Sequence, residues 1–215
     1  MYKLITLLFL IGFAVVCNAQ TGLGIGLVSI NFDDNTVIHF YAKPDGKQKV
    51  KTIQFFTDKS INGWNIKNLE AQKQWLKPET LWLDYSSFNF RCESKNNGWY
   101  EVIVNNQTGK TFWIKKERFT EFLTWEKFLK SKFVVERLPK YKQAIRQLPS
   151  NDSAKIKYVG KDCFQVKSMK GEWIEIFTSD FCKSGYGDSK TTEIQSGWIK
   201  WKNGNTLLID YRLAD

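Results

Sequence analysis

Through most of the chain, apolar and polar residues alternate in short runs broken by Gly, Asn, Asp or Pro, the pattern of half-buried β-strands joined by turns. One block recurs. Phe90-Arg91-Cys92 leads through a polar stretch to Gly98-Trp99-Tyr100-Glu101-Val102, and Phe164-Gln165-Val166 leads to Gly171-Glu172-Trp173-Ile174-Glu175-Ile176. The two register without a gap: Phe90 falls on Phe164, Cys92 on Val166, Trp99 on Trp173 and Glu101 on Glu175. Each block predicts a β-hairpin with a loop longer than two residues, and alternation turns Phe90 and Cys92, like Phe164 and Val166, into cores. Downstream, Trp113-Ile114-Lys115 matches Trp198-Ile199-Lys200. Upstream, residues 41–46 match residues 145–150, each a strand running into a Pro turn.

Other patterns punctuate the strands. Residues 117–141 carry Phe122, Trp125, Phe128, Leu129 and Lys132 at helical spacing around Thr124, which predicts a short amphipathic helix capped by Thr124 and ending before Pro139. Residues 65–76 hold a ragged second helical stripe stopped by Pro78. Residues 206–211 read as a closing strand after the Asn203-Gly204 turn. Residues 4–16 are an apolar run of about 13 residues, too short for the ~20 of a spanning helix, followed by small residues up to Ala19. This predicts a signal peptide over residues 1–19 cleaved before Gln20; the alternative is a lipid anchor on Cys17, whose preceding residues fit a lipobox poorly. The protein is thus expected to be exported, periplasmic or extracellular.

In order, the strings YAKPDGK, NGWYEVIV and TGKTFWIKK, then IRQLPSNDSAKI, KGEWIEI and SGWIKW, resemble a bacterial SH3-like domain occurring twice. The resemblance implies a mainly all-β protein of two small SH3-like barrels. The first would occupy residues 20–116 with an insertion near 56–83, the helical connector 117–141, and the second barrel 142–215. It also implies aromatic grooves, with Tyr41, Trp99, Tyr100 and Trp113 in the first copy and Trp173, Trp198 and Tyr211 in the second. Trp99 and Trp173 read equally well as core residues.

Composition narrows the chemistry. The net charge of +10 is spread over many lysines, which suits acidic glycans, lipid head groups or a cell wall; export argues against nucleic acid. Lysines on strand faces are also ordinary solvated surface that discourages edge pairing, and this plainer account is preferred. Three cysteines follow the leader. Cys92 aligns with Val166 and reads as a buried thiol, which leaves Cys163 and Cys182 as a possible disulfide.

The single histidine, His39, sits between Ile38 and Phe40 with no companion ligand or base in sequence, so it reads as an ordinary strand residue. No Cys-x-x-Cys or His-Glu-x-x-His spacing occurs, and residues 33–35 and 180–188 lack a full calcium-ligand set, so no metal or other cofactor is expected. Residues 22–26, Gly-Leu-Gly-Ile-Gly, imitate a phosphate loop without a preceding strand and read as a flexible terminus. Glu101 and Glu175 occupy equivalent exposed strand positions in separate copies, too far apart to flank one glycosidic bond.

The remaining resource is aromatic: 9 Trp, 8 Tyr and 16 Phe. Flat rings beside polar loops suit peptides and sugars. The reading is a non-catalytic exported binding protein for a cell-envelope ligand, either a peptidoglycan peptide or glycan or an envelope protein, with possible peripheral attachment to an anionic surface. An envelope assembly protein with no small ligand is the alternative, and a cell-wall hydrolase ranks third.

Overall fold

A computed structural model describes residues 22–184 and 192–212. The signal peptide expected over residues 1–19 lies outside the described residues. Strand outweighs helix by 46% to 11%, so the protein is mainly β. The strands of the first half are β1 (Gly26–Ile30), β2 (Val37–Tyr41), β3 (Lys49–Asp58), β4 (Gly63–Ile66), β5 (Thr80–Trp82), β6 (Ser87–Asn96), β7 (Trp99–Asn105), β8 (Lys110–Lys115) and β9 (Thr120–Leu123), with helix α1 (Leu69–Gln72) before β5. Helix α2 (Trp125–Lys130) follows. The second half contains β10 (Val134–Arg137), β11 (Gln165–Lys170), β12 (Trp173–Phe177), helix α3 (Asp180–Ser184), β13 (Gly197–Lys200), β14 (Lys202–Asn203), β15 (Thr206–Leu207) and β16 (Ile209–Arg212). Among the described residues no helix is long and apolar enough to cross a membrane.

The first half is a curled antiparallel sheet, half a barrel, in the order β4-β3-β2-β8-β7-β6-β1-β9, with β5 alongside β6. Its concave side closes over Phe40, Phe55, Phe88, Phe90, Cys92, Val102 and Ile114. In the second half β11-β12-β13 form one sheet, while β10 pairs with β16 and β14 with β15.

The two cores share β1. Val28 and Ile30 point into the first core, while Leu27 joins Leu23, Trp125, Phe128, Phe164, Ile174 and Ile199 in the second. The expected flexible glycine run is therefore packed. Gly24 has φ +65°, and a Cβ there would lie 2.2 Å from the Cys92 carbonyl oxygen; a Cβ on Gly26 would lie 2.4 Å from that of Leu123. The glycines let β1 pass between its neighbours.

The helical readings are trimmed in the same way. In residues 65–76 only the four residues of α1 are helical, and the segment begins on β4. Within 117–141 the helix is the six residues of α2. Thr124 caps it as expected, its side chain accepting from the Lys127 amide at 3.2 Å. Phe122, counted on the helical stripe, lies instead on β9, which hydrogen-bonds to β1 and so cannot coil. The closing strand breaks at Leu208: Thr206 and Leu207 pair with β14, and Ile209 onward pairs with β10.

A polar tie also joins the halves. The nearly buried Glu79 carboxylate accepts from Arg91 Nε at 2.5 Å, from Asn106 Nδ2 at 2.7 Å and from the Tyr211 hydroxyl. Cys163 and Cys182 are disulfide-bonded, and Cys92 is free and buried. Leu27→Ala should cost about 2–5 kcal/mol. Because Leu27 belongs to the first sheet and the second core, urea unfolding followed by tryptophan fluorescence should show both halves lost in one earlier transition; a second half that melts as in the parent would refute the shared role of β1.

Candidate functional site

The recurring blocks form the same three-stranded unit twice. On β6–β7, Cys92 pairs with Val102, Ser94 with Glu101 and Asn96 with Trp99; on β11–β12, Val166 pairs with Ile176, Ser168 with Glu175 and Lys170 with Trp173. Both registers slip by one residue at the same point, after Cys92 and after Val166. The third strands also match: Lys115 lies opposite Trp99 and Trp113 opposite Glu101, as Lys200 lies opposite Trp173 and Trp198 opposite Glu175.

The bulge decides which way the tryptophans face. An extra residue reverses the alternation of the first strand, so Cys92 points inward and Ser94 outward. Opposite them, Val102 and Tyr100 are buried, while Glu101 and Trp99 are half-exposed on the outer side. Trp113, Trp173 and Trp198 are half-exposed likewise, between buried Ile114, Ile174 and Ile199. The hairpin loops are shorter than expected, only Asn97-Gly98 and Gly171-Glu172, because the strands continue beyond the bulge. Asn97 and Gly98 take positive φ (26° and 83°), as does Gly171 (59°).

The upstream strand completes the face. Tyr41 pairs with Trp113, and Arg146 forms a bridge with Trp198. Arg146, rather than Ile145, thus stands where Tyr41 does, one residue from the match read in the sequence. This register also superposes Pro44 on Pro149, and it leaves Ile145 buried as Phe40 is.

Each outer face therefore carries a carboxylate bracketed by two indoles. Glu101 Oε2 accepts from Ser94 Oγ at 2.9 Å and Oε1 from Thr111 Oγ1 at 3.1 Å. Glu175 Oε2 accepts from Ser168 Oγ at 2.8 Å, and Oε1 from Ser196 Oγ at 2.8 Å and Lys167 Nζ at 3.1 Å. The Ser196 and Ser168 hydroxyls hold the Glu175 carboxyl below its usual range. Tyr41 meets Trp99 edge to face, centroids 5.2 Å apart, and Lys200 Nζ lies 5.4 Å from the Trp173 ring centre.

Beside Tyr41 the sheet splits. β2 pairs with β8 only at Phe40 and Tyr41. Where the strands part there is a cleft of about 80 Å³, lined by Ile38, His39, Tyr41, Ile114, Lys115 and Phe119 among others. His39 Nδ1 lies 3.0 Å from Thr52 Oγ1. Partial burial, then the nearby Lys49 charge, hold its pKa below the ordinary 6.5.

Of the seven aromatics taken from the resemblance, the structure places Tyr41, Trp99 and Trp113 together on one outer face, and Trp173 with Trp198 on the other. Tyr100 and Tyr211 are not with them: they are 6% and 7% exposed, packed in the first and second cores. The hydroxyls of Ser94, Thr111, Ser168 and Ser196 were missed. Their signal was a serine seven residues before each glutamate and a hydroxyl two residues before each second tryptophan. No family model, curated protein or solved structure matches the chain.

Followed by NMR, the His39 ring should titrate with a midpoint below 6.5, and Lys49→Ala should raise it without restoring it fully, burial being the larger cause. A lowered folded pKa means that the unfolded chain binds the proton more readily below pH 6.5, so His39 favours folding above that pH and loses this contribution as pH falls through the folded value. A midpoint above 6.5 would contradict the placement of the ring.

Proposed function

We propose that the protein is an exported, non-catalytic binding module of the cell envelope, whose two outer aromatic faces engage a repetitive envelope ligand. The observation that carries this reading is the duplicated arrangement Trp99–Glu101–Trp113 and Trp173–Glu175–Trp198, half-exposed in both copies. Core packing does not require a tryptophan on a solvent face, and keeping two beside a hydroxyl-anchored carboxylate in each of two otherwise divergent copies favours ligand contact over packing.

The same duplication supports a reading of the fold as two SH3-like units joined through α2. Export rests on the leader pattern and accords with the Cys163–Cys182 disulfide, since such bonds persist in oxidising compartments. Two linked weak sites on one chain gain avidity when the ligand repeats, as wall polymers do.

The test is co-sedimentation of the chain lacking residues 1–19 with insoluble envelope material. Trp113→Ala and Trp198→Ala should each weaken retention by about tenfold, and the double variant by more than either, with a native near-UV circular dichroism spectrum confirming that each variant folds. Retention unaffected by both changes, or capture of a discrete envelope protein independent of these rings, would overturn the reading in favour of an assembly role.

A further inference from the structure

We propose that the ligand of the first face is an N-acylated sugar polymer, one ring lying on Trp113 and Tyr41 with its acyl substituent in the cleft between β2 and β8. This rests on the binding reading above and specifies its chemistry.

Three observations converge. The face is a strand surface on which Tyr41 and Trp113 are cross-strand neighbours, both half-exposed, so they offer apolar area to a flat ring from one side. Axial C–H groups of a pyranose suit such a surface.

The polar groups match a polyol. An ionised carboxylate has about four acceptor sites. The Ser94 and Thr111 hydroxyls occupy one on each oxygen of Glu101, fixing its plane and leaving acceptor capacity toward solvent between Trp99 and Trp113. Two acceptors at carboxylate spacing fit the adjacent hydroxyls of a sugar. A peptide backbone offers single donors spaced along a strand and would be better served by an unpaired strand edge than by this side-chain set. Lys115, opposite Trp99, adds an exposed ammonium donor.

The cleft supplies the third element. It opens beside Tyr41, with Phe119 and Val37 as apolar walls, the nearly buried Ile38 and Ile114 beneath them, and His39, Lys115 and Glu117 as its polar lining. Its volume of about 80 Å³ is several times the ~10–15 Å³ that admits one water, so a group of acetamido size has room there. An acetamido methyl would meet the partly exposed Phe119 ring, and its carbonyl would accept from Lys115. His39, held toward its neutral form, places no second cation against a neutral amide at neutral pH.

The experiment is calorimetric titration of the chain lacking residues 1–19 with three soluble β-1,4-linked oligosaccharides of equal length: N-acetylglucosamine, its de-N-acetylated form, and glucose. The N-acetylated oligomer should bind at least about tenfold tighter than the glucose oligomer, which shares the ring but lacks the acyl group. Phe119→Trp, which narrows the cleft, should erase that preference; His39→Tyr at the cleft serves the same purpose if the first variant loses its near-UV circular dichroism. Glu101→Gln should weaken all three oligomers.

Equal affinity for the N-acetylated and glucose oligomers would overturn the acyl assignment. Binding of wall peptides without any oligosaccharide would overturn the sugar class while leaving the envelope-binding reading intact. Failure with every oligomer, together with loss of retention on envelope material, would overturn both.

Discussion

The burial of one short strand on both its sides is the constraint on which the rest of the molecule depends. β1 gives Val28 and Ile30 to the first core and Leu27 to the second, and it hydrogen-bonds to β6 on one edge and β9 on the other. Close approach to Cys92 and Leu123 requires glycine at 24 and 26. The two halves are consequently not beads on a linker. The second core is completed from the beginning of the chain, and the tie through Glu79, Arg91 and Tyr211 adds charge-assisted bonds, one of them between Glu79 and Tyr211, 132 residues apart. A nearly buried carboxylate of this kind is tolerable only because each of its oxygens finds a donor.

The outward aromatic faces follow from a local event on that frame. In both copies the same one-residue slip lets a strand that packs phenylalanine and cysteine or valine inward present a serine outward two residues later. The serine meets a glutamate, and the glutamate stands between tryptophans. The outward serine, and with it the seat of the carboxylate, is thus set by one backbone irregularity, used twice.

Much of this was readable in the residues because hairpins have fixed periods. The gapless match of Phe90–Val102 to Phe164–Ile176 gave the repeat, Thr124 gave the start of α2, and the equivalence of Cys92 to Val166 singled out the cysteines that are bonded. What was not readable has a common cause: it depends on pairing between segments distant in sequence. A bulge has no obligatory residue, so the side on which Trp99 lies was open until the register was known. Phe122 has helical spacing but is captured by β1. Gly24 and Gly26 resemble a loose terminus until the strands they pass between are in place. Tyr211 sits on a strand whose other face is polar, and only the tertiary arrangement shows that its ring belongs inside.

The free thiol of Cys92 raises a question of order rather than of geometry. Cys92, Cys163 and Cys182 allow three pairings, of which two involve Cys92. In the folded chain that thiol is fully buried, and burial pushes its pKa up to about 12, so it has almost no thiolate with which to attack the Cys163–Cys182 bond. Before the first core closes it has no such protection. Closure of the half-barrel around it removes both wrong pairings from any later thiol exchange. The protein's odd cysteine is kept silent by the core that closes over it.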